Sequence, residues 1–190
     1  MLALPALVVA LTVSTQAADL VRPRAPDPTL SANEVAARIE SYLGAIDTAA
    51  KPEDWRALGL PAIPALEAVL AAPDALPSRR AAAVSGLAHI GGARARSAVI
   101  KTLRSEAEPF VVRAAALHAA PSVLSSAELV HELTPVLEGA QTTEARVVAA
   151  EVLARSAPRL ACRSVRAQAG GGPARPGHFA RALATCAATP

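Results

Sequence analysis

The feature that most constrains the fold of this chain is an arginine that recurs at equal intervals. Arg80 begins the segment RAAAVSGLAHIG, Arg113 begins RAAALHAAPSVL and Arg146 begins RVVAAEVLARSA, so the two intervals are identical. Upstream apolar positions keep the same period; they are Leu70, Leu103 and Val136. A fixed period of about 33 residues is typical of a repeated supersecondary unit, here with room for two helices. We refer to Arg80, Arg113 and Arg146 as the repeat arginines.

The residues between the repeat arginines favour helices over strands. Alanine makes up about a quarter of the 190 residues, and it is the best helix former and a poor strand former. The aromatic residues are Tyr42, Trp55, Phe110 and Phe179. The composition therefore predicts an all-α chain in which small side chains let the helices pack closely.

Capping and periodicity signals place the individual helices. The SANE segment at residues 31–34 reads as a capping box that opens an N-terminal helix running to about residue 49, and a short helix follows at Pro52. Trp55 in that short helix is expected to plug one end of the core. The first helices of the units are predicted at 61–71, 93–104 and 126–138, and the second helices at 78–90, 109–119 and 143–156. A fourth, degenerate pair is predicted at 159–168 and 177–187.

The N-terminal residues resemble a secretory signal peptide. Residues 1–17 carry no charge, and the apolar run at 2–13 is short for a membrane-spanning helix. We expect cleavage after Ala17, with Ala18 as the neighbouring choice. An uncleaved anchor or a buried helix are the open alternatives, since residues 1–17 contain neither lysine nor arginine. A proline-rich linker is predicted at 18–30.

The only two cysteines, Cys162 and Cys186, are predicted to form a disulfide if the chain is exported. In a cytosolic chain they would instead be small buried hydrophobic residues. Two sulfurs without nearby paired histidines are too few ligands for a zinc site.

The charge of +3 is distributed unevenly along the chain. No acidic residue lies between Asp74 and Glu106 or after Glu151, and each of these stretches holds six lysines or arginines. Such stretches can attract an anionic partner. Because these two stretches hold a single aromatic residue, Phe179, and no series of rings that could stack on successive bases, we interpret the cations as solvated helix faces and predict no nucleic-acid binding.

Residues 58–91 resemble a HEAT repeat of the bacterial, phycobilisome-lyase-like type. The resembling features are Pro64 within an apolar first helix, Asp74 in the turn, Arg80 six residues later and an alanine-rich second helix ending in Ile-Gly. The resemblance implies a short right-handed α-solenoid of about three to four helix pairs preceded by an N-terminal capping helix. It also implies that the repeat arginines and Asp74 are structural, with aspartate and arginine forming a ladder between units.

The second and third units depart from that pattern, because Ala107 and Ala140 stand where the first unit has Asp74. Arg113 and Arg146 are therefore expected to bond carbonyl groups or other acids. The acids suggested by position are Glu106 and Glu144. The predicted domains are 1–17 signal peptide, 18–30 linker, 31–58 capping helices, 59–158 HEAT-like repeats and 159–190 degenerate helical hairpin.

No catalytic, metal-binding or cofactor-binding residue is predicted. His131 and Glu132 are similar to one of the His-Glu pairs by which HEAT-repeat deoxyhypusine hydroxylases hold iron, but Pro135 occupies the place of the second histidine of HExxH. Ser85 lacks the leading glycine of GxSxG.

The sequence therefore predicts an exported bacterial scaffold, periplasmic or secreted, without catalytic activity. Its expected partner is a protein or peptide, and no membrane span is expected to remain after signal cleavage. The alternatives are a structural or anchored envelope component and a lyase-like or metal-dependent enzyme subunit.

Overall fold

The computed structural model describes residues 30–45, 50–139, 142–171 and 176–188. The predicted signal peptide and all but the last residue of the predicted linker lie outside these ranges. Within them every regular element is helical, which confirms the all-α prediction.

Ten α-helices and three 3-10 turns make up the described residues. The α-helices are α1 (Ala32–Gly44), α2 (Pro52–Leu58), α3 (Ile63–Ala71), α4 (Pro77–Ile90), α5 (Gly92–Arg104), α6 (Phe110–Ala119), α7 (Ser126–Glu138), α8 (Thr143–Ser156), α9 (Pro158–Gly171) and α10 (Ala180–Ala187). The 3-10 turns are Leu60–Ala62, Ala120–Ser122 and Pro176–Phe179.

Two capping boxes start helices where the sequence predicts them. At α1 the Ser31 hydroxyl accepts from the Glu34 amide, and the Glu34 carboxylate accepts from the Ser31 amide at 2.8 Å. Ser125 and Glu128 repeat this exchange at α7. Each exchange satisfies amides that have no partner within the helix. Helices α7 and α8 begin and end at their predicted residues.

Several helix boundaries differ from the prediction. Five helices, α3, α4, α5, α6 and α10, begin one to three residues away from their predicted starts, and α9 ends at Gly171 rather than at residue 168. Two further differences have a clear cause. Helix α1 ends at Gly44 rather than near residue 49, because Ala45 adopts extended backbone with ψ of 119°. Pro158 is the first residue of α9, whereas the sequence analysis places the start of this helix at Arg159. Proline fits there because the first turn of a helix needs no amide hydrogen.

Helices of the same kind contact one another in chain order. The second helices α4, α6, α8 and α10 pack against their neighbours, and so do the first helices α3, α5, α7 and α9. The contact is more extensive between α4 and α6 than between α3 and α5 or between α5 and α7. The first helices therefore separate along part of their length, while the second helices stay closely packed.

Small residues set the close packing of the second helices. Ala83 in α4, Ala116 in α6 and Ala149 in α8 are completely buried. At the N-terminal end of the core Trp55 is 3% exposed and meets the Tyr42 ring edge-on, with centroids 5.1 Å apart. A Cβ at Gly86 would lie 2.8 Å from Trp55 Cε3, so only glycine lets the indole lie against α4.

Candidate functional site

The repeat arginines each join the two helices of their own unit. In every unit the arginine Nε donates to a carbonyl in the last turn of the preceding first helix. The pairs are Arg80 to Leu70 (3.0 Å), Arg113 to Leu103 (2.8 Å) and Arg146 to Leu137 (3.0 Å). These carbonyls have no partner within their helix, and a cation is favourable at a helix C-terminus. The period seen in the sequence is thus the repetition of one capping bond.

The remaining nitrogens of Arg80 reach the next unit. Its Nη2 donates to both carboxylate oxygens of Glu108, at 2.8 and 2.6 Å, and Glu108 lies in the turn between α5 and α6. This guanidinium pairs with Glu108 rather than with Asp74, which is exposed in its own turn. The arginine ties two units together, but through an acid that the resemblance does not indicate.

Arg146 also reaches the next unit, by a different route. Its Nη2 donates to Gln168 Oε1 in α9 at 3.1 Å, and its guanidinium carbon lies 6.0 Å from the centroid of the Phe179 ring. Phe179 stands one full period after Arg146, where a fourth repeat arginine would fall. In the degenerate last unit a buried aromatic ring therefore replaces the arginine and packs against the arginine of the preceding unit. Gln168, rather than the suggested Glu144, supplies the acceptor.

Arg113 is the repeat arginine of the middle unit. Burial lowers the pKa of its guanidinium, and the negative charge of Glu106 opposes that shift. Glu106 precedes α6 in the same unit and is one of the acids suggested by position. All three repeat arginines are held by neighbouring groups, so none is placed as a mobile catalytic group.

Other cations of the acid-free stretch between Asp74 and Glu106 are paired as well. The sequence predicts that these six cations are solvating groups, but five of the six form ion pairs with other elements. The pairs are Arg79 with Glu40, Arg80 with Glu108, Arg94 with Glu67, Arg96 with Glu128 and Arg104 with Glu132. The sixth cation, Lys101, has no carboxylate partner within the part of the chain that the structure describes.

A groove lies between α3 and α5, where the first helices separate. Its volume is about 730 Å³, and we call it the α3/α5 groove. Leu70, Ala71 and Ala98 contribute an apolar floor, while Arg80 and Lys101 contribute charge. The volume is in the range of about 300 to 1,000 Å³ that is typical of ligand sites.

A smaller cavity of about 430 Å³ occupies the equivalent position between α5 and α7. Arg113, His131 and Glu132 contribute to its lining. Arg104 donates through Nε and Nη2 to the two Glu132 oxygens, at 2.7 and 2.6 Å, and these bonds raise the pKa of Arg104. Because Arg104 engages both oxygens of Glu132, the His131-Glu132 dipeptide is not arranged as a pair of metal ligands. Among the described residues no three His, Cys, Asp or Glu side chains are grouped closely enough to hold a metal ion.

Two histidines on the second helices have lowered pKa values. His118 is exposed, but partial desolvation by its neighbours lowers its pKa, Arg155 lowers it further and Glu151 opposes the shift. Burial is the main cause at His89, followed by the positive charge of Arg56. Both imidazoles are therefore kept neutral more strongly than a free histidine.

The structure joins Cys162 of α9 to Cys186 of α10 by a disulfide. Arg166 strengthens the same contact, because its Nη2 donates to the Cys186 carbonyl at 2.7 Å. The last helix pair is therefore fastened by a covalent bond and a hydrogen bond between its two helices.

Comparison with protein-family models, curated protein sequences and solved structures finds no match to this chain. Of the helices within the described ranges, none combines the length and apolar character needed to cross a bilayer.

Neither Lys101 nor Glu108 is among the site residues predicted from the sequence. A signal for Lys101 is present, because α5 carries four cations and no acidic residue. A signal for Glu108 is its distance of 28 residues from Arg80, which is close to one period.

Proposed function

We propose that this chain is a short right-handed α-solenoid of HEAT-like repeats that serves as an exported, non-catalytic scaffold and binds a protein or peptide partner. The repeated capping bond of the arginines supports the solenoid, because in each unit it joins the first helix to the second helix in the same way. The ordered contacts among the second helices are also what stacked units would make.

The α3/α5 groove is the observation that carries the binding role. It is open along the first helices, it has an apolar floor, and the arginines beside it are engaged in bonds that hold the helices together. A concave site with an apolar surface and a few polar contacts is typical of ligand binding. It therefore favours a binding role over a catalytic one.

Export is supported by the uncharged apolar stretch at 1–17 and by the cysteine pair. In protein recovered from its native host we expect a mature N-terminus at Ala18 or Asp19. An intact Met1 would instead favour the anchored alternative.

Affinity capture from the exported fraction tests the scaffold role directly. The full mature chain is used as bait beside two variants: Ser97→Trp, which fills the groove, and Ala167→Trp, which adds the same bulk on an exposed face of α9. Wild type and Ala167→Trp should retain the same partner, and Ser97→Trp should lose it. Failure of both the wild-type and Ala167→Trp baits to retain any protein, under gentle conditions and with reversible cross-linking, would contradict the proposal.

A further inference from the structure

We propose that the α3/α5 groove binds an extended segment of the partner that places an acidic side chain on Lys101 and aliphatic side chains on the apolar floor. This inference rests on the scaffold function proposed above and specifies the chemistry of its partner.

Ion pairs fix both ends of the groove. Arg94 near the first turn of α5 pairs with Glu67 of α3, and Arg80 pairs with Glu108 just beyond the last turn of α5. The two walls are therefore tied together by bonds outside the floor. Between these ties α5 presents small residues such as Ser97 and Ala98, which leave the space between the two helices unfilled.

The side chains that line the groove leave one positive charge without a carboxylate partner. Among the described residues that line it are three cations, Arg80, Arg94 and Lys101, and two carboxylates, Glu67 and Glu108, so these side chains carry a net charge of +1. Both carboxylates are already bonded to the two arginines. The exposed Lys101 ammonium thus supplies the uncompensated charge, and an acidic side chain is its natural complement.

The dimensions of the groove suit a short extended peptide. Its lining follows α5 from Ala93 to Ser105, which is a rise of about 18 Å at about 1.5 Å per residue. An extended chain covers about 3.3 Å per residue, so about five residues fit. Side chains alternate along such a chain, so two or three would face the floor of Leu70, Ala71 and Ala98.

Leu60 is an exposed apolar residue that does not line the groove but lies beside the start of α5, next to the groove residue Ala93. It is 46% exposed, and its Cδ2 would lie 3.5 Å from a Cβ placed on Gly92, the first residue of α5. An aliphatic side chain at the end of the bound segment would cover it. No aromatic ring is found among the described residues that line the groove, which favours a peptide over single-stranded nucleic acid.

The chain contains only two lysines, Lys51 and Lys101, which provides a matched control. Lys51 is exposed before α2 and does not line the groove. Lys101→Glu and Lys51→Glu change the net charge equally, so any difference in binding between them reports the groove rather than the overall charge.

A phage-displayed library of random dodecapeptides, selected on the full mature chain, tests the proposal. Enriched peptides should carry Asp or Glu with Leu, Ile or Val two positions away. Their affinity, measured by fluorescence anisotropy, should fall about tenfold or more in Lys101→Glu and stay unchanged in Lys51→Glu. Lys101→Gln, which is the milder change, should also weaken binding, and circular dichroism would check that each variant is folded. Saturating peptide should protect the Lys101 amine, but not the Lys51 amine, from acetylation.

Enriched peptides that lack acidic residues, or that bind Lys101→Glu as tightly as wild type, would overturn the assignment. Protection of Lys101 by a single-stranded oligonucleotide at lower concentration than by any enriched peptide would also overturn it. A captured partner that binds wild type and Lys101→Glu equally would remove the acidic-peptide site but leave the scaffold function standing. If neither the library nor the affinity capture yields a partner, both proposals fail.

Discussion

At the scale of single residues, the repeat arginines show how one side chain can be both a cap and a tie. Arg113 and Arg146 are each only 5% exposed, so their bonds to carbonyls form away from water. A buried hydrogen bond of this kind contributes modestly to the free energy of unfolding. Removal of the donor lowers that free energy by more, because the buried acceptor is left without a partner.

We expect Arg113→Ala to lower the free energy of unfolding by about 1 to 3 kcal/mol, because the Leu103 carbonyl loses its donor. Urea denaturation followed by circular dichroism measures this change. Arg163→Ala is the matched control, since Arg163 is exposed on α9, and it should alter stability by less than about 0.5 kcal/mol. Equal effects of the two substitutions would contradict the role of Arg113.

His118 and His89 should make stability depend on pH. Their pKa values are lowered in the folded chain, so as pH falls below about 6.5 the unfolded chain takes up protons first. The free energy of unfolding should therefore decrease as pH falls through that region and be insensitive to these groups at higher pH. Glu151 and Arg155 face His118, and Arg56 faces His89.

The double variant His89→Gln/His118→Gln checks this dependence. Urea titrations between about pH 7.5 and 5.5 should give a smaller pH slope for the variant than for wild type. Identical slopes would show that the two imidazoles titrate alike in the folded and unfolded chains, contrary to their surroundings in the structure.

At the scale of elements, α4 contains a residue of low helix propensity that permits a close packing contact. Gly86 in its interior is unfavourable for a helix by about 1 kcal/mol relative to alanine. The close approach of the Trp55 ring explains why glycine stands there.

Gly86→Ala should destabilise the protein by about 1 to 3 kcal/mol despite the better helix former, because the added Cβ would overlap the indole. Trp55 is the only tryptophan, so its fluorescence can follow both the displacement and the unfolding. Gly44→Ala provides the control, because nothing lies within 4 Å of a Cβ there, and it should be neutral or stabilising. A stabilised Gly86→Ala would indicate that Trp55 moves aside at little cost.

Most helix positions could be predicted because their signals are local. Capping residues, proline and alanine runs act within one turn, so α7 and α8 agree with the prediction at both ends. The end of α1 could not be predicted in this way. Its apolar period continues to Ile46, but the chain leaves the helix at Ala45. Periodicity records which residues favour a helix face, not where the chain must turn.

The candidate site was less predictable, because it depends on distances between units. Whether Arg80 pairs with Asp74 or Glu108 is decided by the approach of the next turn, which composition and motifs do not encode. The ion pairs do contain a usable regularity, since Arg94, Arg96 and Arg104 pair with acids 27, 32 and 28 residues away. A search for acids at about one period from each arginine would find these partners. The groove itself follows from where α3 and α5 separate, and only the structure reveals that.

At the scale of the whole molecule, the disulfide fastens the last helix pair. Cys162 and Cys186 are separated by 24 residues in the chain, and both are buried. Closing a loop of that length restricts the unfolded chain and so favours the folded state.

Cys162→Ala/Cys186→Ala should lower the free energy of unfolding by about 3 to 4 kcal/mol, the amount that loop closure contributes. Hydrogen exchange should show the largest loss of protection in α9 and α10. Reducing agent should destabilise wild type by a similar amount and leave the variant unchanged. A wild type whose stability and mass do not respond to reduction would show that the two thiols are free.

The bond between Arg80 and Glu108 also determines where this chain can change in length. Turns between helices usually accept insertions and deletions, because they are exposed and make few contacts. The turn between α5 and α6 instead supplies the carboxylate that ties the first unit to the second. One residue added before Glu108 would shift that carboxylate away from Arg80 and remove the ion pair that links the first unit to the second. The number of residues in the turn between α5 and α6 is therefore constrained as strongly as the identity of a core residue. Natural variation in the length of this chain should occur in other turns.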